Sequence, residues 1–292
     1  MKHLTRRNFL KIPLLGAAAL KFEPEASAGR TTSESGKEAV DVNVYVSQWP
    51  FRRVHGDDTR QLVQRLRRYN VRQAWTGSLD GLLHKDIASV NSRLAEECRA
   101  HGGGMLVPFG AVNPTLPDWE EDLRRCHEEL KMPGIRLHPD YHRYRLDDPR
   151  FRRLLKLVNE RNIIVQLAVV MEDPRTQHPL LRVDPVDLEP LLGLLPEFPR
   201  VRIVLLNALR SSSLDLLKSL TEAGQVYCEI SWLEGVGGVG RLADTISVQR
   251  ILFGSYAPVF YFEAAQLKMR ESLMTEEQTR EILRENARRA IG

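Results

Sequence analysis

Residues 163–170 read Ile163-Ile164-Val165-Gln166-Leu167-Ala168-Val169-Val170. Only Gln166 interrupts this apolar run, and successive side chains of an extended chain point to opposite faces, so the run is apolar on both faces. Strands of this kind lie in parallel sheets that helices cover on both sides. The run therefore predicts a buried parallel strand with helices before and after it in the sequence.

Seven further apolar runs resemble this one, and amphipathic stretches separate them. The predicted strands are Val40–Val46, Arg72–Gly77, Met105–Val112, Gly134–His138, Ile163–Val170, Arg202–Leu206, Val226–Ile230 and Arg250–Gly254. The predicted helices are Thr59–Tyr69, Ile87–Ala100, Trp119–Leu130, Arg150–Glu160, Leu188–Leu195, Ser213–Ala223, Val239–Thr245 and Thr275–Ile291, the last with Thr275 as N-cap. Eight strand–helix units in about 250 residues predict a single (β/α)₈ TIM barrel.

An open doubly wound sheet is the alternative fold for this pattern. Such sheets carry a Gly-x-Gly-x-x-Gly loop after an early strand, with an acidic residue further on. The glycines at Gly235–Gly240 come late in the chain and lack that acidic residue. The barrel is therefore the preferred prediction.

The first 28 residues predict an export signal. Thr5–Lys11 resembles the twin-arginine signature, Ile12–Leu20 is a short apolar stretch, and Ala26–Ala28 offers a small-residue cleavage site. We expect residues 1–28 to be a twin-arginine signal peptide, residues 29–39 a polar linker and residues 40–292 the barrel. The protein is then exported to the periplasm or another extracytoplasmic compartment.

Charge and composition limit the classes of partner. The chain of 292 residues has a net charge of +4, and residues 1–28 contribute +3 of it, which leaves +1 for the rest. No basic stripe with interleaved aromatic residues is present, so nucleic acid is not an expected partner. No run of 18 apolar residues follows the signal, so no stable membrane span is expected after cleavage. A small-molecule substrate is the expected partner, and the sequence sets no oligomeric state.

The three cysteines, Cys98, Cys126 and Cys228, are odd in number and widely spaced. They lie in predicted helices and a predicted strand, so we expect buried free thiols. One disulfide stays open as an alternative in an oxidising compartment.

Polar residues interrupt or end several of the predicted strands. In a barrel, ligands and reactions are found at the carboxyl ends of the strands. The polar residues at these positions, on five strands, are Asn43, Tyr45, Arg136, His138, Gln166, Asn207, Ser255 and Tyr256. Each one alone is explained by a hydrogen bond to its own loop, but the same feature on so many strands favours a polar pocket at the barrel mouth. His142 and His178 lie on loops that should face the same end.

Four motifs resemble the amidohydrolase-related family of the metal-dependent hydrolase superfamily. Asp41–Tyr45, followed by Trp49–Phe51, resembles the first strand of that family, which reads Asp-x-His-x-His. Gly134–Pro139 resembles its fourth strand, Phe253–Pro258 its eighth-strand Phe-Gly-Ser-Asp-x-Pro, and Glu285–Arg289 its closing helix. The resemblance covers residues 40–292 and implies a TIM barrel with hydrolase activity.

The departures from that family concern the metal. The resemblance implies that the metal ligands would fall on Asn43, Tyr45, Gln166, Asn207 and Tyr256. Carboxamides are neutral, weak ligands, and a phenol is a poor ligand unless it is ionised. We therefore expect no cofactor and, in particular, no divalent ion of the family type. His138, His142 and His178 form no known ligand pattern, so an alternative metal site among them has only weak support.

Two functional hypotheses follow. The first is a hydrolase of small amides, lactones or related carbonyl compounds that works without metal, in keeping with the metal-free lactone hydrolysis known in the superfamily. In it, His138 or Glu229 is the general acid–base, and Tyr45, Tyr256 and Asn207 donate hydrogen bonds to a developing oxyanion. The second is a catalytically inactive barrel that serves as an exported binding or scaffold protein.

The remaining predicted site residues bind substrate in the first hypothesis. Asn43, Gln166 and His178 line the site, and Arg136 holds a carboxylate of the substrate. Arg52, Arg53 and Arg175 are further candidates for such a clamp. The alternative for each arginine is a pair with a nearby acid, drawn from Asp57, Asp58, Asp140 and Asp173. Glu229 is likewise either a pocket acid or one half of a buried ion pair.

Overall fold

Parallel strands alternate with helices throughout residues 38–292, which are the residues that the computed structural model describes. The strands are β1 Ala39–Val46, β2 Val71–Ser78, β3 Leu106–Pro108, β4 Gly110–Ala111, β5 Gly134–Leu137, β6 Ile164–Ala168, β7 Arg202–Leu206, β8 Gln225–Glu229 and β9 Ile251–Leu252. The predicted third strand is divided at Phe109 into β3 and β4, so the nine strands fill eight barrel positions.

Hydrogen bonds close these strands into a barrel. β1, β2 and β3 pair in order, as do β4 through β9, and every pair is parallel. The amide of Phe109 donates to the carbonyl of Thr76 at 2.8 Å, which joins the two sets. On the other side, the amide of Val42 donates to Phe253 at 3.0 Å and that of Tyr45 donates to Ala257 at 2.8 Å. The predicted (β/α)₈ barrel is confirmed.

Helices follow the strands with one addition to the prediction. They are α1 Thr59–Arg68, α2 Ile87–His101, α3 Trp119–Arg124, α4 Pro149–Arg161, α5 Leu191–Leu194, α6 Leu214–Ala223, α7 Gly238–Thr245, α8 Phe262–Arg270, α9 Glu276–Arg280 and α10 Asn286–Ile291. A π-helical segment, Glu281–Glu285, joins α9 to α10, and Thr275 forms a capping box with Gln278, so the predicted closing helix is present. The sequence analysis missed α8, although its buried residues Phe262, Ala265 and Met269 follow helical spacing.

A bulge in β1 decides which of its side chains enter the barrel. The pairing of β1 with β2 slips between Asp41 and Val44. Before the bulge, Val42 packs in the barrel interior, and after it Val44 packs with the cluster that contains residues of α1. One extra residue in a strand moves the side chains of all later residues to the opposite face. Asn43 and Tyr45 therefore point into the barrel.

The predicted signal peptide, residues 1–28, lies outside the described residues, as does most of the predicted linker. The barrel begins one residue earlier than predicted, because the amide of Ala39 already donates to Asn70 at 3.2 Å. No helix within residues 38–292 is long and apolar enough to cross a membrane. Cys98, Cys126 and Cys228 are buried free thiols.

Candidate active site

The barrel interior is built in three levels, which β6 shows in its alternate residues. Ile164 belongs to an apolar floor, Gln166 to a polar layer, and Ala168 to an apolar cap at the carboxyl ends of the strands. The polar layer consists of Asn43, Arg136, Gln166, Asn207, Glu229 and Ser231. The cap consists of Tyr45, Trp49, Leu79, Leu82, Ala168, Val170, Met171, Trp232 and Tyr256. The sequence-predicted polar residues therefore do come together, but beneath a cover.

Arg136 lies fully buried in the polar layer with its guanidinium bonded to the protein. Nε donates to Gln166 Oε1 at 2.8 Å, and the two Nη atoms donate to the carbonyls of Val44 at 2.8 Å and Trp75 at 2.9 Å. The guanidinium carbon also lies 4.2 Å from the ring centroid of Tyr45. A Cβ at Gly77 would lie 2.7 Å from Arg136, so the close approach of the two chains requires glycine there.

Glu229 is held by four hydrogen bonds inside the same layer. Oε1 accepts from the amide of Asn207 at 2.6 Å, from Ser231 Oγ at 2.8 Å and from Asn43 Nδ2 at 3.2 Å, and Oε2 accepts from the amide of Ser231 at 2.6 Å. Burial raises the pKa of Glu229, and these bonds oppose the rise. A Cβ at Gly254 would overlap the carboxylate. Within residues 38–292 no arginine pairs with Glu229, so the alternative of a buried ion pair with an arginine is not formed there.

Asp41 is a buried acid that the sequence analysis did not select. Its carboxylate accepts hydrogen bonds from the hydroxyl of Ser255 and from the amides of Ser255 at 3.0 Å and Asn43 at 3.1 Å. Burial raises its pKa to about 7. These bonds fix the end of the last barrel strand against β1 and hold the β1 bulge in place.

Tyrosines and a methionine cover the polar layer. The hydroxyl of Tyr256 donates to the carbonyl of Met171 at 2.6 Å, and Asn207 Nδ2 donates to the carbonyl of Val170 at 2.7 Å. Tyr256 and Asn207 have φ angles of +61° and +60°, a region that costs free energy for a bulky side chain such as tyrosine. Both residues thus tie the loop after β6 across the mouth of the barrel.

A small cavity remains beside the end of β5. It has a volume of about 10 Å³, which is room for one water molecule. Its lining residues are His138, Asp140, Tyr141, Ala168, Val169, Val170, Met171, Gln177, Val183 and Asp184. The predicted site residue His138 therefore lines this cavity.

His138 is neutral and has one free ring nitrogen. Burial, with nearby His142 and Arg136, lowers its pKa well below the usual range. Nε2 lies 3.2 Å from the hydroxyl of Tyr45, and Nδ1 is buried without a partner among the described residues. Burial raises the pKa of Tyr45, so that hydroxyl keeps its proton, and its acceptors within reach are Nε2 of His138 and, at 3.5 Å, Sδ of Met171. In the tautomer in which Nε2 accepts from Tyr45, the imidazole proton lies on Nδ1, which is then a hydrogen-bond donor without a protein acceptor.

Asp140 supplies a titrating group at the same cavity. Burial and the charge of Asp184 raise its pKa to about 7. The sequence analysis weighed Asp140 only as a partner for an arginine, and Arg136 does not bond to it. The signal that was available is its position, because it follows His138 and Pro139 directly after a barrel strand.

Other predicted site residues lie elsewhere. His178 stacks on Phe51 at 4.8 Å between ring centroids and does not line the cavity. Arg53 pairs with Asp57 and Arg175 with Asp173, as the alternative of local pairing predicts. Arg52 pairs with Glu172.

The donors at the five family ligand positions do not suit a divalent ion. Asn43 Nδ2 donates to Asn207 Oδ1 at 2.7 Å, and the Gln166 oxygen accepts from a guanidinium, which is itself a cation. Within residues 38–292, no group of three or more histidine, cysteine, aspartate or glutamate side chains is arranged to hold a metal ion. A metal needs several such ligands with anionic or imidazole donors.

A closed parallel barrel with titrating residues at the carboxyl ends of its strands defines the chain as a TIM-barrel protein of enzyme type. Residues 44–292 match the amidohydrolase family, and the chain belongs to that family. No curated protein sequence gives a significant match.

Several solved structures share this fold. The 2,6-dihydroxybenzoate decarboxylase from Rhizobium is 17% identical with a TM-score of 0.64, and the alignment covers 88% of this chain and 98% of that one. The 5-carboxyvanillate decarboxylase from Sphingomonas paucimobilis is 13% identical with a TM-score of 0.66, covering 87% and 99%. The 4-oxalomesaconate hydratase from Rhodopseudomonas palustris is 13% identical with a TM-score of 0.62, covering 87% and 95%. At these identities the likeness concerns the fold.

Proposed function

We propose that this protein is a metal-independent hydrolase of small amides, lactones or related carbonyl compounds, with its attacking water in the cavity beside the end of β5. The observation that carries the proposal is that this cavity is lined both by His138, whose buried Nδ1 has no partner among the described residues, and by Asp140, an acid whose pKa burial raises to about 7. A proton-transfer group is most effective when its pKa lies near the working pH.

The two residues have separate parts in the reaction. The carboxylate of Asp140 takes a proton from water as the water oxygen bonds to the carbonyl carbon of the substrate. Nδ1–H of His138 donates to the carbonyl oxygen, where negative charge develops. The bond from carbon to the leaving nitrogen or oxygen then breaks, and Asp140 returns the proton to that atom. The products are a carboxylic acid and an amine or alcohol.

The proposal assigns proton transfer to Asp140 in place of Glu229. All four hydrogen bonds of Glu229 come from the protein, and Glu229 does not line the cavity. Arg136 likewise has its bonds to protein acceptors under the ring of Tyr45, so its predicted contact with a substrate carboxylate stays a prediction. We propose that these two buried charges hold the shape of the barrel mouth.

Hydrolysis assays with matched variants test the proposal. Lactones, aryl esters and aryl amides are screened with the wild-type protein, Asp140→Asn, His138→Ala and Glu229→Gln, with the exposed Asp147→Asn as control. We expect Asp140→Asn to lower kcat/KM by about 100-fold, the range that general acid–base catalysis supplies. Wild-type kcat/KM should rise with pH through about 7, as Asp140 loses its proton. Hydrolysis that survives both Asp140→Asn and His138→Ala contradicts these roles.

The cover over the mouth favours a second candidate function. Tyr45, Met171 and Tyr256 are buried, the polar layer bonds within itself, and the cavity has room for only about one water. A catalytically inactive barrel that binds a partner would have these properties. If the barrel is inactive, the wild-type protein should hydrolyse none of the screened substrates faster than the Asp140→Asn variant does.

A further inference from the structure

An outer pocket adjoins the cavity beside β5. It has a volume of about 190 Å³ and is open to solvent. Its lining residues are Asp140, Tyr144, Arg145, Leu146, Asp184, Pro185, Val186, Asp187 and Pro190. Asp140 and Asp184 line both the outer pocket and the inner cavity, so these two side chains stand where one space meets the other.

The outer pocket carries an excess of negative charge. Among residues 38–292, the carboxylates of Asp140 and Asp184 have no ion pair and accept no hydrogen bond. Arg145 is the cation of the lining, and it is already engaged by Asp147 at 3.1 Å and Asp187 at 3.6 Å. Elsewhere on this surface, acids such as Asp148 and Asp173 are paired with neighbouring arginines. The unpaired acids of the outer pocket are thus available to a cation.

A buried hydroxyl in the same lining also lacks a partner. Tyr144 is only 4% exposed, and its hydroxyl has no hydrogen bond among the described residues. Leaving a buried polar group unbonded costs about 1–3 kcal/mol, so such a group marks a place where a ligand or water completes the bonding. The phenol oxygen can accept a hydrogen bond from an N–H group.

We propose that the outer pocket is a binding site for a positively charged amino group, held by Asp140, Asp184 and the hydroxyl of Tyr144. Joined to the proposed hydrolase activity, on which the substrate assignment rests, the site selects carbonyl substrates that carry an alkylammonium group. This selection is opposite in charge to the carboxylate substrate predicted from Arg136, because Arg136 is fully buried beneath Tyr45 and does not line either space.

Binding of simple probes to the whole protein tests the site without any assay of activity. Butylammonium chloride and sodium butyrate are titrated against the wild-type protein by calorimetry or ligand-observed NMR. We expect butylammonium to bind and butyrate not to bind. The affinity for butylammonium should fall as salt rises, because ions screen a partly exposed pair.

Variants assign the binding to these residues. Asp184→Asn should weaken butylammonium binding by about tenfold, roughly 1.4 kcal/mol. Tyr144→Phe should weaken it to a smaller degree, and Asp184→Glu should retain it. Asp215→Asn, at an exposed aspartate of α6 outside the pocket lining, is the control and should leave it unchanged. Circular dichroism confirms that each variant is folded.

The results separate the site from the proposed activity. Equal binding of butyrate and butylammonium, or unchanged butylammonium binding in Asp184→Asn, overturns the amino-group site whatever the enzyme assays show. Specific butylammonium binding without hydrolysis of any carbonyl substrate supports the site and refutes only the hydrolase. Hydrolysis that depends on Asp140 but shows no preference for ammonium-bearing substrates refutes the substrate assignment.

Discussion

Arg136 shows how a single buried charge is accommodated. Removing a guanidinium from water is costly unless protein acceptors replace the water. Here Gln166 Oε1 and the carbonyls of Val44 and Trp75 replace it, and the ring of Tyr45 covers it. The guanidinium of Arg136 is therefore part of the barrel framework, and its three acceptors have it as their hydrogen-bond donor.

Arg136→Met should destabilise the protein by about 3–5 kcal/mol, because it leaves buried acceptors without donors. Urea unfolding measures this as a lower midpoint at an unchanged slope. Arg175→Met, at an exposed arginine paired with Asp173, is the control and should cost less than about 1 kcal/mol. A loss at Arg136 no larger than that of the control would contradict the framework role.

Asp41 makes a pH-dependent contribution to stability. Its pKa rises on folding from an ordinary value of 3.8 to about 7 because it is buried. The folded state therefore holds more protons between these values, and its contribution to the free energy of unfolding is present at about pH 4 and is lost as pH rises to about 7.

Asp41→Asn removes this dependence. We expect the stability of the variant relative to wild type to increase between about pH 4 and pH 7, by on the order of a few kcal/mol. Chemical unfolding of both proteins at several pH values measures the difference in their free energies of unfolding. Paired surface acids affect both proteins alike, so their opposite pH dependence cancels in this difference. A difference that does not change with pH would show that Asp41 titrates alike in both states.

Among the elements, α2 holds the end of β4. Asn91 of α2 donates through Nδ2 to the carbonyl of Ala111 at 2.8 Å, and its Oδ1 accepts from the amide of Ala111 at 2.7 Å. One carboxamide thus satisfies both backbone groups of a residue at the end of β4. The hydrogen bonds to β4 therefore explain why α2 carries a buried polar residue at Asn91.

Asn91→Ala should cost about 2–4 kcal/mol, because two buried backbone groups lose their partners. Thermal unfolding measures the loss, and hydrogen exchange should show faster exchange of the Ala111 amide. Ser92→Ala, one residue further on the exposed side of α2, should stay within about 0.5 kcal/mol of wild type. A loss at Asn91 no larger than that at Ser92 would contradict the role of the Asn91 carboxamide in bonding Ala111, since alanine by itself favours a helix more than asparagine does.

At the scale of the whole molecule, the polar layer includes Asn43, Gln166 and Asn207, three of the positions to which the family resemblance assigns metal ligands. This layer is bonded through amides, one guanidinium and one carboxylate. Added zinc or manganese should therefore leave the melting temperature unchanged, and so should EDTA. Metal analysis of the purified protein should give far less than one ion per chain. A melting temperature that EDTA lowers, or near-stoichiometric metal, would contradict the proposed metal-independent activity.

The spacing of apolar residues was sufficient to predict the barrel, because strands that are buried on both faces and helices that are buried on one face each produce a recognisable pattern in the local sequence. The strand run 163–170 and the closing helix from Thr275 are examples. Helix α8 was missed, and with it Lys268, which donates to the carbonyls of Ile230 and Ser231 beside the polar layer. The division of the third strand at Phe109 was also missed.

For the candidate site, the sequence determined which residue types stand at the strand ends. Only the tertiary structure decided what each of them contacts. Arg136 and Glu229 read as pocket charges, yet the opposing strands bury and bond both, whereas Asp140 read as an ordinary loop acid and lies at a cavity. The physical reason is that burial, pKa and free hydrogen-bonding capacity depend on neighbours that are distant along the chain, and no local pattern records them.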